Sequence, residues 1–155
     1  LFDGKIVVIT RGVGLLGQAF ARGICMSGGV AVIADIDHVA ATTAAEEIRF
    51  DGDRRVEAVQ LNICDLKSIT TCIDDLMSRY GRIDAVINNA YPRNKNYGRK
   101  LEDVTYEDFC ENVDSHLGGY FLVAQQFCKA FKAQGHGNLV NMSSIYGSMA
   151  PRFEV

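Results

Sequence analysis

The stretch from Ile6 to Asp37 constrains the fold more than any other part of the chain. The short apolar run Ile6-Val7-Val8-Ile9 passes through Thr10-Arg11 into Gly12-Val13-Gly14-Leu15-Leu16-Gly17, and an alanine-containing helical segment follows. Glycine is needed in such a turn because the chain leaves a strand at an angle, and a ligand approaches the backbone where a Cβ would obstruct it. A helix starting there points free N–H groups and a partial positive charge at a pyrophosphate. A second predicted strand, Val30 to Ala34, ends in Asp35, eighteen residues after Gly17, where a carboxylate suits a ribose hydroxyl pair. Strand, glycine turn, helix, strand and acid together make a dinucleotide-binding signature that the glycines alone would not.

The remaining 118 residues after Asp37 fit one domain with a sizeable core, spanning residues 1–155. A net charge of -3 and a pI near 5.6 provide no basic field, so neither nucleic acid nor an anionic membrane is expected as a partner. No apolar run reaches membrane-spanning length, and the opening Leu1-Phe2-Asp3-Gly4-Lys5 lacks the build of a signal peptide, so a cytoplasmic location is expected. Cys25, Cys64, Cys72, Cys110 and Cys128 are scattered without a C-x-x-C pair; they are expected to be buried thiols in a reducing compartment, with no metal site.

The pattern continues in alternation. A helix over Leu15–Ser27 stops at Gly28-Gly29. Asp37 is placed to cap a helix over His38–Phe50, which Asp51-Gly52-Asp53 ends. A strand over Val56–Leu61 leads to Asn62-Ile63-Cys64-Asp65, a helix over Leu66–Tyr80 ends at Gly81, and a strand over Ile83–Ile87 runs into Asn88-Asn89-Ala90. The segment Tyr91 to Lys100 reads as a loop or lid with four positive charges and no acid. A helix begins at Thr105, a capping threonine with an acid three residues later, and is predicted to continue to Ala133. Gly135-His136-Gly137 stops it before a strand over Asn138–Met142 that delivers Ser143-Ser144.

Five strands separated by four helical stretches predict a Rossmann-like, doubly wound parallel α/β sheet in three layers, cut short after strand five. Ligands in such sheets lie beyond the carboxyl ends of the strands. That rule brings the glycine turn, Asp35, Asn62-Ile63, Asn88 to Tyr91 and Ser143-Ser144 to one crevice.

With these motifs in order, the chain resembles the short-chain dehydrogenase/reductase family. Thr10 with the glycine turn, Asp35, Asn62-Ile63-Cys64-Asp65, Asn88-Asn89-Ala90, Leu117 to Phe121 and Asn141-Met142-Ser143-Ser144 carry the resemblance over nearly the whole chain. Gly14-Leu15-Leu16-Gly17 and Ala150-Pro151-Arg152-Phe153-Glu154 are more loosely similar to a subgroup associated with bacterial flagellin and surface-sugar modification. The resemblance implies an oxidoreductase that interconverts an alcohol and a carbonyl by hydride transfer, acting on a small polar, anionic or sugar-derived substrate. It places Gly12, Gly14, Leu16 and Gly17 at the cofactor's phosphates and ribose, Asp35 on the adenosine ribose, Asn62 and Ile63 beside adenine, and Asn89 and Ala90 at the nicotinamide ribose. Ser144 would hydrogen-bond the substrate oxygen. An acid at Asp35 favours NAD, because a 2′-phosphate would meet like charge.

Several residues depart from that pattern. Arg11 stands where the family has glycine, and is strained if the position needs a positive φ unless Gly12 absorbs the turn. Tyr91 replaces the glycine after Asn-Asn-Ala. His116 replaces an asparagine of a proton relay, so it is either a relay group or a structural helix histidine. The family's tyrosine acid/base and its lysine lie downstream of the serine; this chain ends eleven residues after Ser144, and Tyr146 is too close to Ser144 and has no matching lysine. With Leu1 in place of an initiating methionine, an incomplete chain is expected. Arg93, Lys95, Arg99 and Lys100 either form an ordinary solvated loop or gather an anionic substrate. The broad apolar stripe of the last helix suits either core packing or a homodimer or homotetramer contact. Two further readings of the glycine turn remain: an S-adenosylmethionine methyltransferase and a non-catalytic nucleotide-binding module.

Overall fold

The computed structural model describes residues 1–50 and 55–149; the Asp51-Gly52-Asp53 stop and the Ala150-Pro151-Arg152-Phe153-Glu154 stretch lie outside them. Five strands, β1 (Ile6–Thr10), β2 (Val30–Asp35), β3 (Val56–Gln60), β4 (Ala85–Asn88) and β5 (Asn138–Asn141), form a wholly parallel sheet in the order β3-β2-β1-β4-β5. Helices α1 (Leu15–Met26), α2 (His38–Phe50), α3 (Leu66–Tyr80), α4 (Tyr106–Val113) and α5 (Gly119–Gln134) connect and cover it. The expected doubly wound α/β architecture is present.

Strand β1 reads as continuous apolar sequence because both its faces are buried. Successive side chains alternate: Ile6 and Val8 join one core layer with Val32, Ile69, Leu76, Val123 and Phe127, while Val7 and Ile9 join the other with Ile33, Ala21, Ile24, Ala45 and Ile48. Each such buried aliphatic chain contributes roughly 1.5–3 kcal/mol relative to exposure. Two polar ties then fix β1 against the β4 segment. Near the start of β1, the Ile6 N–H donates to the Asp84 carboxylate at 2.9 Å; near its end, the Thr10 hydroxyl donates to the Ile87 carbonyl at 3.3 Å.

The predicted stops and caps are used. Asp37 Oδ1 accepts from the Ala40 N–H at 3.0 Å, Thr105 Oγ1 accepts from the Asp108 N–H at 3.1 Å, and Gly28, Gly81 and Gly135 take positive φ behind α1, α3 and α5. Strand β4 starts at Ala85 rather than Ile83, because the Gln134 side chain occupies both backbone groups of Ile83. The helix predicted over Thr105–Ala133 is instead α4, a π-helical turn over Asp114–Gly118, and α5. Directly after the π-helical turn, α5 packs close against β3's exit at Gly119, where a Cβ would lie 2.7 Å from Ile63 Cδ1. The expectation of buried thiols holds for Cys25 and Cys72; Cys110 is half-buried, and Cys64, in the turn before α3, and Cys128, within α5, are exposed. Among the described residues no helix is long and apolar enough to cross a membrane, and no group of three metal-ligating side chains converges.

Candidate active site

At the carboxyl end of β1 the chain turns through Arg11 to Gly14 into α1, and the packing dictates two of its glycines. A Cβ on Gly12 would lie 2.7 Å from Ile33 Cγ2, and one on Gly17 would lie 2.7 Å from the Arg11 carbonyl oxygen and from Gly12 Cα and O. Gly14 differs. It is the N-cap of α1, and a Cβ there would meet only the Arg11 carbonyl oxygen, at 3.5 Å. The fold itself therefore tolerates a side chain at Gly14, and its absence keeps open the helix end that faces the crevice. Arg11, not Gly12, absorbs the turn: it has φ 51°, the one positive φ outside glycine among the described residues. That conformation costs an L-residue roughly 1–2 kcal/mol.

Asp35 ends β2, 6% exposed. Its Oδ1 accepts from the Asp37 N–H at 3.2 Å, while its buried Oδ2 has no hydrogen-bond partner among the described residues. A buried carboxylate oxygen left unsatisfied is costly. The adjoining β3 exit is held by Asn62, whose N–H donates to Ser68 Oγ at 2.9 Å and whose Oδ1 accepts from the Cys64 N–H at 3.0 Å. The Ile63 side chain is buried against Gly119, so packing engages its side chain.

The β4 exit is tied to the glycine turn. Thr10 Oγ1 accepts from both the Asn89 and Ala90 N–H groups at 2.9 Å, and Asn89 Nδ2 donates to the Thr10 and Arg11 carbonyls at 3.2 and 3.3 Å. Asn88 is fully buried and bridges Asn141 Oδ1 at 2.9 Å and the Tyr120 carbonyl at 3.3 Å, joining the β4 and β5 ends to α5. Ala90 is itself buried.

A cavity of about 1000 Å³ opens over these ends. Gly14, Leu16 and Asn89 line it from the glycine turn and the β4 exit, and His116 and Ser144 line it from α5's approach and from the β5 exit. Gly12, Gly17, Asp35, Asn62, Ile63 and Ala90 are not among its lining residues; they shape or flank it. The π-helical turn presents His116 edge-on between Tyr91 and Tyr120, at ring separations of 4.5 and 4.8 Å. Burial lowers the His116 imidazole below its ordinary value and keeps it neutral near pH 7. Ser144 Oγ accepts from the Tyr146 N–H at 3.2 Å, which leaves its proton available to donate.

The sequence reading missed the aromatic wall. Tyr91 and Tyr97 both line the cavity, their hydroxyls 3.0 Å apart, and the Arg93 guanidinium lies 4.9 and 4.5 Å from their ring centroids. The signal was a loop with two tyrosines around an arginine, which charge alone did not reveal. None of Arg93, Lys95, Arg99 and Lys100 lines the cavity. Arg99 pairs instead with Asp108 at 3.6 Å, and Asn94 and Asn96 each donate to Asp108 Oδ1 at 2.7 Å, docking the loop on α4. The Asn96 hydrogen bond leads the interactions that hold the Asp108 carboxyl below the usual carboxylate range.

A glycine turn at the switch between β1-β2 and β1-β4, an acid ending β2 and a cavity beyond the strand ends are the arrangement of a doubly wound α/β domain with its crevice at the switch point. The chain belongs to the short chain dehydrogenase family, whose pattern it matches over residues 5–154. It is 33% identical to post-translational flagellin modification protein A of Campylobacter coli, over 99% of this chain and 60% of that protein. It is 32% identical to the 7alpha-hydroxysteroid dehydrogenase of Bacteroides fragilis, over 96% of this chain and 57% of that one. A solved structure of gluconate 5-dehydrogenase from Burkholderia cenocepacia in complex with NADP and tartrate superposes with a TM-score of 0.84 at 27% identity, covering 98% of this chain and 58% of that chain. The chain thus spans somewhat over half the length of these relatives. The methyltransferase and non-catalytic readings find no support among them.

Proposed function

We propose that this chain is the cofactor-binding and serine-bearing part of an NAD-dependent oxidoreductase that interconverts an alcohol and a carbonyl on a small polar or sugar-derived substrate. Asp35 at the end of β2, whose Oδ2 has no partner among the described residues, carries the NAD reading: a carboxylate at this strand end, once turned toward the crevice, would accept hydrogen bonds from ribose hydroxyls and would repel a 2′-phosphate. NADP in the gluconate 5-dehydrogenase relative shows that the family takes either cofactor, so the preference rests on this residue. When bound, the nicotinamide supplies the hydride chemistry. The protein supplies placement. Gly14 and the open end of α1 receive the phosphates, Asn89 holds the turn, and Ser144 donates its hydroxyl proton to the substrate oxygen. Neutral His116 can accept or donate a proton beside it.

The gluconate name favours a sugar-derived substrate, and the steroid name a flatter apolar one. Tyr91, Tyr97 and Tyr120 around the cavity serve either through their ring faces. Phe109 and Val113 of α4, which lie outside the cavity lining and are 58% and 41% exposed, support a homodimer or homotetramer of the whole protein. A cytoplasmic site of action accords with the free thiols. In the full-length protein Ser144→Ala should lower kcat about 100-fold with little change in NADH affinity. Unchanged turnover would remove Ser144 from the chemistry, and binding of S-adenosylmethionine in place of NADH would remove the reading.

A further inference from the structure

Arg11 is the one Asp, Glu, Lys or Arg lining the cavity among the described residues. It is exposed, and its guanidinium has no hydrogen-bond or ion-pair partner among them. Its own segment offers no neutralising charge: the first turn of α1 contains no acid, and Gly14 caps the helix without a side chain. The backbone beneath it is nonetheless rigid. The Arg11 carbonyl accepts from the Gly14 N–H at 3.2 Å and from Asn89 Nδ2 at 3.3 Å, and Gly17 packs against it at a distance no Cβ allows. This clamped residue is the one with φ 51°, a conformation that glycine adopts without cost and arginine does not. Glycine at this position would remove the strain and the charge together.

We propose that Arg11 is an oxyanion-binding side chain of this cavity, taking a phosphate-type group either from the cofactor's pyrophosphate or from an anionic substituent of the substrate. The inference rests on the nucleotide reading above and adds a side-chain ligand to it. A guanidinium suits the role: it is planar, always charged, less strongly hydrated than an ammonium, and offers paired N–H donors to two oxygens of one group. The aromatic and aliphatic walls formed by Leu16, Tyr91, Tyr120 and Phe121 lower the local dielectric and strengthen such a contact. The docked cations of the Tyr91–Lys100 loop do not compete for it, since none reaches the cavity lining.

The test is calorimetric titration of the wild-type chain and of Arg11→Gln, Arg11→Lys and Arg11→Gly with ADP-ribose, with adenosine, and with inorganic phosphate in saturating NADH. Thermal unfolding of each variant accompanies it. Gln keeps the strained side chain without its charge, Lys keeps the charge, and Gly relieves the strain. A loss of about tenfold in ADP-ribose affinity for Gln and Gly, with adenosine unchanged and Lys retaining most of the affinity, assigns the contact to the pyrophosphate. A loss confined to inorganic phosphate in the NADH complex assigns it to the substrate's anion. In either case Arg11→Gly unfolds at the same or a higher temperature than wild type, so the loss is not one of folding. Wild-type affinity for every probe in both Gln and Gly overturns the proposal while leaving the nucleotide reading intact. Failure of the wild-type chain to bind ADP-ribose or NADH overturns both.

Discussion

The two flanks of the sheet are built differently. On the β1-β2 flank every side chain but Val30 is buried, the glycine turn is fixed by close packing, and Asp35 sits 6% exposed. On the β4-β5 flank, β5 is largely exposed, Ser144 lies on the surface, and the aromatic wall hangs on one docked loop. Backbone geometry specifies the first flank, and side-chain contacts between distant segments specify the second. We expect cofactor placement to depend on the first and substrate choice on the second.

Substitutions that respect or violate this division should separate in size. Gly17→Ala should be the most damaging, since its Cβ collides with three backbone atoms rather than with a movable side chain; we expect a loss of roughly 3 kcal/mol in denaturant unfolding, and no NADH binding. A stable, NADH-binding Gly17→Ala would show that the turn is adjustable after all. Thr10→Val keeps the shape but strands the Asn89 and Ala90 N–H groups, one of them buried, and should cost about 2 kcal/mol by the same measurement.

Asp84 gives a pH-dependent comparison at the opposite end of β4. Burial alone would raise its carboxyl pKa, but the Arg82 guanidinium, the Ile6 N–H and Lys5 together hold it below the ordinary range. A depressed folded-state pKa contributes stability that is fully present above the unfolded value, about pH 4, and is lost as pH falls through the folded one. Asp84→Asn should therefore flatten the acid limb of a urea-unfolding profile; an unchanged slope below about pH 4 would deny the carboxylate this role. Smallest of all, Ser144→Ala on the exposed flank should alter stability by under about 0.5 kcal/mol, and a larger loss would mean that this flank is more constrained than its exposure suggests.

The division also explains what could be read from the sequence. The buried flank announces itself through local rules: apolar runs with both faces covered, glycines where a Cβ collides, Asp37 and Thr105 as caps, and Asp35 at a fixed distance from the turn. The other flank depends on contacts between distant segments. Nothing local shows that Gln134 would occupy Ile83 and shorten β4, that Ile63 would pack against Gly119, or that a π-helical turn would carry His116. For the loop cations the sequence left a solvated loop and an anion trap both open, because charge is visible in sequence, whereas the Arg93–tyrosine stack and the Arg99–Asp108 pair are visible only in space.

The proposed NAD preference of this cradle rests on Asp35. Calorimetric titration of the wild-type chain and of Asp35→Asn with NADH and NADPH tests it directly. Asp35 should give NADH an advantage of at least about tenfold over NADPH, equivalent to about 1.4 kcal/mol, and Asp35→Asn should weaken NADH and close most of that gap. Equal or tighter NADPH binding by the wild-type chain, or a gap untouched by Asp35→Asn, would contradict the account.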